Sequence, residues 1–294
     1  MNKNAIIVYI NDSDKALTEF SWLYKTWLMW SIDKSWDIVA FANPSIIEDF
    51  KSKFHHENLK VIEMLSSDTP IANPYAMFKD DNNIEMLKGY EFLFRTECDS
   101  FLTKHFADFK PWRDKVYVGI GLHAATTHPG DLIREKLKII SSTLGLKWYG
   151  HSHIGHNLLA SSEMVIANSI LQTGLTKWLL ENSFTNGDGA YPSWFKGEVS
   201  QYAHELVINS NVSPLGIHQG SIDTWCGSNE ITSLDLHIRA WPQSNDAFFD
   251  KVKYHAGNLP KIKFNEVPKT AGEYCVFVAD TDIKEMLLLN KQNI

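Results

Sequence analysis

Cysteine is scarce: Cys98, Cys226 and Cys275 are the only three in 294 residues, an odd number and widely spaced. That argues against a disulfide framework or a cysteine-ligated zinc site, and a reducing compartment is the default expectation. Long apolar runs are also missing. No stretch approaches the roughly 18 apolar residues of a membrane span. The run Ala5 to Ile10 near the N-terminus is too short for the core of a signal peptide, so the expectation is a cytoplasmic chain. Positive charge is in the minority, with 28 Lys and Arg against 35 Asp and Glu and a formal net charge of −7. A broad electrostatic grip on nucleic acid usually needs a basic face, and this balance disfavours one. Neither G-x-G-x-x-G nor the P-loop pattern occurs, which speaks against dinucleotide and P-loop chemistry. No G-x-S-x-G elbow is present either.

What is there is ordinary for a globular domain: 44% hydrophobic and 21% charged residues, with ten Trp, ten Tyr and sixteen Phe. The pattern begins with β-branched Ala5 to Ile10, suited to a strand buried on both faces. Asn11-Asp-Ser-Asp14 then supplies turn and capping residues, followed by Leu17, Phe20, Tyr24, Trp27 and Leu28 at helical spacing. Trp36 to Ala42 predicts a second strand, Ser45 to Lys53 a helix, and Leu59 to Leu65 a third strand. Strand and helix in alternation predict right-handed βαβ units and a mainly parallel sheet flanked by helices. Further on, Tyr90 to Arg95 and Val116 to Ile120 read as strands. Asp131 to Thr143, Ser161 to Asn182 and Lys196 to Asn209 read as helices, Gly145 to Asn157 as a loop, and Ser233 to Ala240 as a late strand.

Glu97 and Asp99 stand one residue apart at the end of the fourth strand. Alternate side chains of a strand share a face, so both carboxylates can address one site while Cys98 points away. Two carboxylates on one side suit a hard cation, Mg2+ or Mn2+, which can hold a diphosphate and neutralise it as it leaves. The end of the strand is the right place, because ligands of open parallel sheets bind outside the carboxyl ends.

The stretch Tyr90 to Thr103, YEFLFRTECDSFLT, resembles the D-x-D region of nucleotide-sugar glycosyltransferases of the GT-A fold, with Glu97 where that pattern usually carries Asp. The segment Trp36 to Pro44 also resembles the second strand of such proteins. The resemblance covers roughly residues 5–120 and implies a Rossmann-like GT-A fold. Residues 1–125 would bind the donor, and 126–294, a helical acceptor-binding part, would complete the same domain. It implies sugar transfer from a UDP- or GDP-linked donor to a carbohydrate acceptor, with Glu97, Asp99 and a late histidine, best matched by His237, as metal ligands. It places the nucleotide near Asn11 and Asp12. Arg95, Glu97, His156 and Arg239 are expected on the donor side, and Asp223 or Glu205 as the base on the acceptor hydroxyl, with Glu198 also weighed.

Two other readings start from different residues. His151, His153 and His156 invite a zinc-hydrolase reading, with no nearby cysteine or strong acid to complete the set. A non-catalytic nucleotide-sugar-binding protein would keep the fold and lose turnover through Glu97.

Overall fold

The computed structural model describes residues 3–65, 70–121, 127–191, 193–227, 229–240, 248–259 and 261–292. Its frame is a seven-stranded sheet, here numbered in chain order. β1 (Asn4–Ile10), β2 (Trp36–Ala42), β3 (Leu59–Glu63) and β4 (Phe92–Glu97) come from the first hundred residues, followed by β6 (Val116–Ile120), β7 (Ile154–Ser161) and β8 (Ile217–Ile222). Spatially the order is β3-β2-β1-β4-β7-β6-β8. The pairs β1–β2, β2–β3, β1–β4 and β6–β8 are parallel, and β7 runs antiparallel to both its neighbours. A second sheet has three short strands: β5 (Ser100–Leu102), β9 (Thr224–Trp225) and β10 (His237–Arg239), in the order β5-β10-β9.

The expected α/β architecture with a mainly parallel sheet is what folds. Every residue of β2 is buried, as a strand covered on both faces requires. Side-chain alternation divides β1 between two cores. Ile6, Val8 and Ile10 pack with Phe20, Leu23 and Trp27 of α1 (Ala16–Met29), while Ala5 and Ile7 pack with Tyr75, Met77 and Val165 on the other face. Pairing β5 with β10 adds a third core against α10 (Ala271–Asp280), where Trp22 stacks on Phe101 at 5.3 Å. Among the described residues, no helix is long and apolar enough to cross a membrane.

Several boundaries differ from the sequence reading. Residues 154–157, taken as the end of a loop, open β7, an inner strand of the main sheet. Its sequence Ile-Gly-His-Asn lacks the apolar run of an inner strand because His156 and Asn157 are buried polar residues with partners. β8 and β5 had not been anticipated. The late strand is shorter than expected, His237–Arg239, and the Trp241-Pro242 pair taken to end it lies outside the described residues. The helix expected from Lys196 is a short 3-10 turn, Lys196–Glu198, leading into α8 (Val199–Asn211). None of Asn11, Asp12 or Ser13 caps α1 through its side chain; the N-cap is Lys15. The second half is also not simply helical. β7 inserts between β4 and β6, so the sheet interleaves the two halves expected to part near residue 125.

Candidate functional site

Because β1, β4, β6 and β8 run one way and β7 the other, the C-terminal ends of the first four meet the N-terminal end of β7. Glu97 ends β4, opposite Tyr9 of β1. Asp99 follows, just before β5, and β10 pairs with β5 so that Arg239 lies opposite Ser100. The small sheet thus brings a late segment onto the acidic pair. A cleft of about 240 Å3 opens here, lined by Tyr75, Glu97, His156, Glu198, Ser200 and Arg239 among others.

The charges of the acidic pair are matched by cations. The Arg239 guanidinium holds the Glu97 carboxylate, and the Lys251 ammonium holds Asp99. Burial works to raise the Glu97 pKa, but Arg239, with His156 and Lys251, carries it below the ordinary value. Burial dominates at Asp99 and pushes its pKa up to about 6 in spite of Lys251. Arg239 moves upward because neighbouring Glu97, Asp99 and Asp223 outweigh its own burial. On the far wall, His156 Nε2 lies 3.6 Å from Glu198, and its Nδ1 lies 3.3 Å from the Tyr75 hydroxyl.

Arg95 was expected to touch the nucleotide. It is buried behind the wall instead, donating to Ser169 Oγ at 2.7 Å and to the His156 carbonyl at 2.9 Å, with its guanidinium over the Tyr75 ring. It fixes two lining residues rather than lining the cleft. Asn11 and Asp12 do stand at the end of β1, but they are exposed and do not line the cleft. Asn11 Oδ1 accepts from the Ser13 amide, an Asx turn.

His237 does not turn to the carboxylates as a third ligand would. Its Nε2 is 3.0 Å from Thr96 Oγ1, and its Nδ1 is 3.3 Å from both the amide nitrogen and Oδ1 of Asp223. Among the described residues, no three His, Cys, Asp or Glu side chains are arranged to hold a metal ion. Two carboxylates remain, and Asp99 Oδ1 is a buried oxygen without a hydrogen-bond partner among the described residues. Each of the two carboxylates is held by a cation, Glu97 by Arg239 and Asp99 by Lys251.

Neither expected base lines the cleft. Glu205 is buried in α8 and accepts from the Ile154 amide at 3.0 Å. Asp223 is not on an open loop. It joins β8 to β9 in the left-handed region, at φ 64°, and its side chain is fully buried. Asn157 donates to its Oδ1, while Oδ2 sits against Gly119 and Gly155, where added Cβ atoms would lie 1.7 and 2.6 Å from it. Burial would raise the Asp223 pKa, but His237, Arg239 and Asn157 hold it below the ordinary carboxylate value. The carboxylates that do line the cleft are Glu97 and Glu198.

The three histidines of the loop reading are separated in function. His151 Nε2 donates to the Val212 carbonyl at 2.7 Å, His153 has a positive φ of 60°, and only His156 lines the cleft. Lys251, Tyr75 and Asn157 were not singled out from the sequence. Lys251 is one residue after the Asp250 cap of a short helix, and no local pattern ties it to a motif 152 residues earlier.

A comparison with curated proteins finds no match. Residues 54–291 match the family model described as a domain of unknown function, DUF7164, a span that includes β3 to β10 and every cleft-lining residue. The chain belongs to the DUF7164 family.

Proposed function

We propose that this chain is a glycosyltransferase that moves a sugar from a UDP- or GDP-linked donor to a hydroxyl of a glycan or glycoside, on a GT-A type of fold. The observation that carries the reading is the convergence of Glu97, Glu198, Arg239 and His156 on one polar cleft at the carboxyl end of β4, where α/β sheets bind ligands. The site is built around charges that can match a diphosphate. Arg239 offers the fork geometry suited to phosphate oxygens. A Mg2+ or Mn2+ ion at Glu97 and Asp99, when bound, supplies the positive charge that stabilises the departing diphosphate.

Glu198 is the lining carboxylate best placed to accept the proton of the acceptor hydroxyl, with His156 at 3.6 Å to orient it. Asp223 and His237 take positioning roles. They brace the junction of β8, β9 and β10 that carries Arg239. The zinc-hydrolase reading has no comparable support, because His151, His153 and His156 do not converge.

The test is thermal stability against a panel of nucleotides and nucleotide sugars, with and without Mn2+, followed by release of free nucleoside diphosphate when candidate acceptors are added. A ligand at a hundred times its dissociation constant stabilises by about 2.7 kcal/mol, a readily seen shift. A response to UDP- or GDP-sugars that disappears in Asp99→Ala supports the proposal. Binding without turnover across acceptors would favour the non-catalytic reading, and no response to any nucleotide would overturn both.

A further inference from the structure

A second and larger cavity, of about 710 Å3, shares no lining residue with the cleft among the described residues. It lies where α1 ends, against the short helix Lys104–Asp108, residues 266–269 and the start of α10. Helix α1 carries the chain from the carboxyl end of β1 back to the beginning of β2, and the two strands are parallel. The end of α1 is therefore at the opposite end of the sheet from the cleft. The volume falls in the range of small-molecule sites, roughly 300–1,000 Å3.

The floor of this cavity is aromatic and fixed. Trp30 Nε1 donates to the Tyr274 hydroxyl at 2.9 Å, and that hydroxyl donates to the Leu102 carbonyl at 2.6 Å. Tyr274 is buried, but Trp30 is only half-buried, so the fold leaves part of an immobilised indole uncovered. Around the floor stand two ammonium groups, Lys104 and Lys269, and three carboxylates, Asp108, Glu230 and Glu266, all on exposed residues. An anionic ligand would face the three acids, and a cationic one the two lysines. A hydroxyl is both donor and acceptor, so it can use either sign, and its hydrogen bonds to charged groups are the stronger kind.

Ser31, also in the lining, adds a strained position. It follows the C-cap of α1 with φ 56°, in the left-handed region where a helix usually ends on glycine. Its amide donates to the Leu28 carbonyl and its carbonyl accepts from the Lys34 amide. Its hydroxyl forms no hydrogen bond among the described residues, so the side chain that makes this backbone costly serves no contact of the fold.

We propose that this cavity is a second carbohydrate site, taking a neutral oligosaccharide. The C–H face of a sugar ring suits the uncovered indole of Trp30, and the hydroxyls at its edge suit the mixed charges of the rim and Ser31. The site is separate from the cleft and does not depend on sugar transfer there.

Calorimetric titration of the full chain with cellotetraose, maltotetraose, mannotetraose and chitotetraose, and with inorganic pyrophosphate for contrast, tests it. At least one tetrasaccharide should bind saturably. Trp30→Leu should weaken that binding about tenfold, the order of a lost aromatic contact. Glu266→Ala with Lys269→Ala, both on the surface, should weaken it severalfold without a change in melting temperature, which keeps the test open if Trp30→Leu does not fold. Ser31→Gly should melt at a higher temperature and yet bind more weakly, opposed movements that a purely structural serine would not give. Glu198→Gln, in the cleft, should leave this binding as it is. The absence of binding by every tetrasaccharide, binding that survives unchanged in all the cavity variants, or binding lost in Glu198→Gln alone overturns the proposal. Tetrasaccharide binding at the cavity in a chain that responds to no nucleotide sugar would overturn sugar transfer and leave the second site standing.

Discussion

Arg239 of the small sheet closes on Glu97 at the end of the central strand β4, an ion pair that ties the two sheets together at the mouth of the cleft. The pairing follows from strand geometry. β10 runs antiparallel to β5 with Arg239 opposite Ser100, and β5 begins three residues after Glu97.

Breaking that pair from one side should destabilise the fold. Arg239→Met leaves Glu97 without its main counter-charge, and the expected loss is about 3 kcal/mol, the lower end for a buried pair because Glu97 keeps some solvent contact. Glu97→Gln in the same chain should recover part of it. A double-mutant cycle by chemical denaturation measures the coupling. Strict additivity of the two single losses would mean that the pair contributes nothing.

The cradle around Asp223 gives a sharper contrast. Gly119→Ala places a Cβ 1.7 Å from Asp223 Oδ2, so either the carboxylate or the strand must shift, at an expected cost above about 2 kcal/mol. Ligand binding in the cleft should weaken with it. Gly174, in the interior of α7 (Ser162–Ser183), has open space where its Cβ would be. Gly174→Ala should stabilise by about 0.4–1 kcal/mol. Paired melting curves decide both, and a harmless Gly119→Ala would show that the cradle is not tight.

His204 sets a pH dependence. Its Nδ1 donates to the Gly155 carbonyl at 2.6 Å, and its pKa is driven well below 6.5, first by burial and then by Arg95. The folded chain therefore holds this proton less tightly than the unfolded one. Stability from His204 is fully present above pH 6.5 and declines as pH falls from there toward the folded value. Urea unfolding at a series of pH values should show this slope, and His204→Gln should flatten it. An identical slope in the variant would assign the effect to other groups.

Lys25 of α1 holds the end of α10. Its ammonium donates to the carbonyls of Val278, Ala279 and Thr281 at 2.9, 3.2 and 3.0 Å. These are the orphan acceptors of a helix C-terminus, met here by a cation that also suits the helix dipole. Lys25→Met should cost about 1.5–3 kcal/mol, the range for hydrogen bonds to charged groups. It should also expose the segment after Thr281 to protease before the rest of the chain. Unchanged proteolysis would argue that α10 is held by its apolar face alone.

The first hundred residues were legible because their signals are local. β1 is apolar from Ala5 to Ile10 and β2 is apolar but for Asp37, α1 shows helical spacing with Leu17, Phe20 and Trp27, and Glu97 and Asp99 fall where a parallel strand ends. β7 was not legible, since His156 and Asn157 break its apolar pattern and are acceptable only because Arg95, Tyr75 and Asp223 receive them. Asp223 looked like an exposed loop acid for a similar reason. Its burial depends on Gly119 and Gly155, which are far from it in sequence.

By itself, then, the sequence determined the α/β class, the parallel strands of the first half and the position of the acidic pair, because periodicity and strand ends are properties of neighbouring residues. Which cations face those acids, which carboxylates reach the cleft and which are sealed behind it were decided only by tertiary structure. Those outcomes depend on β7 entering the sheet between β4 and β6, and on β10 pairing with β5, contacts between segments far apart in the chain whose free energy appears only when the sheets close.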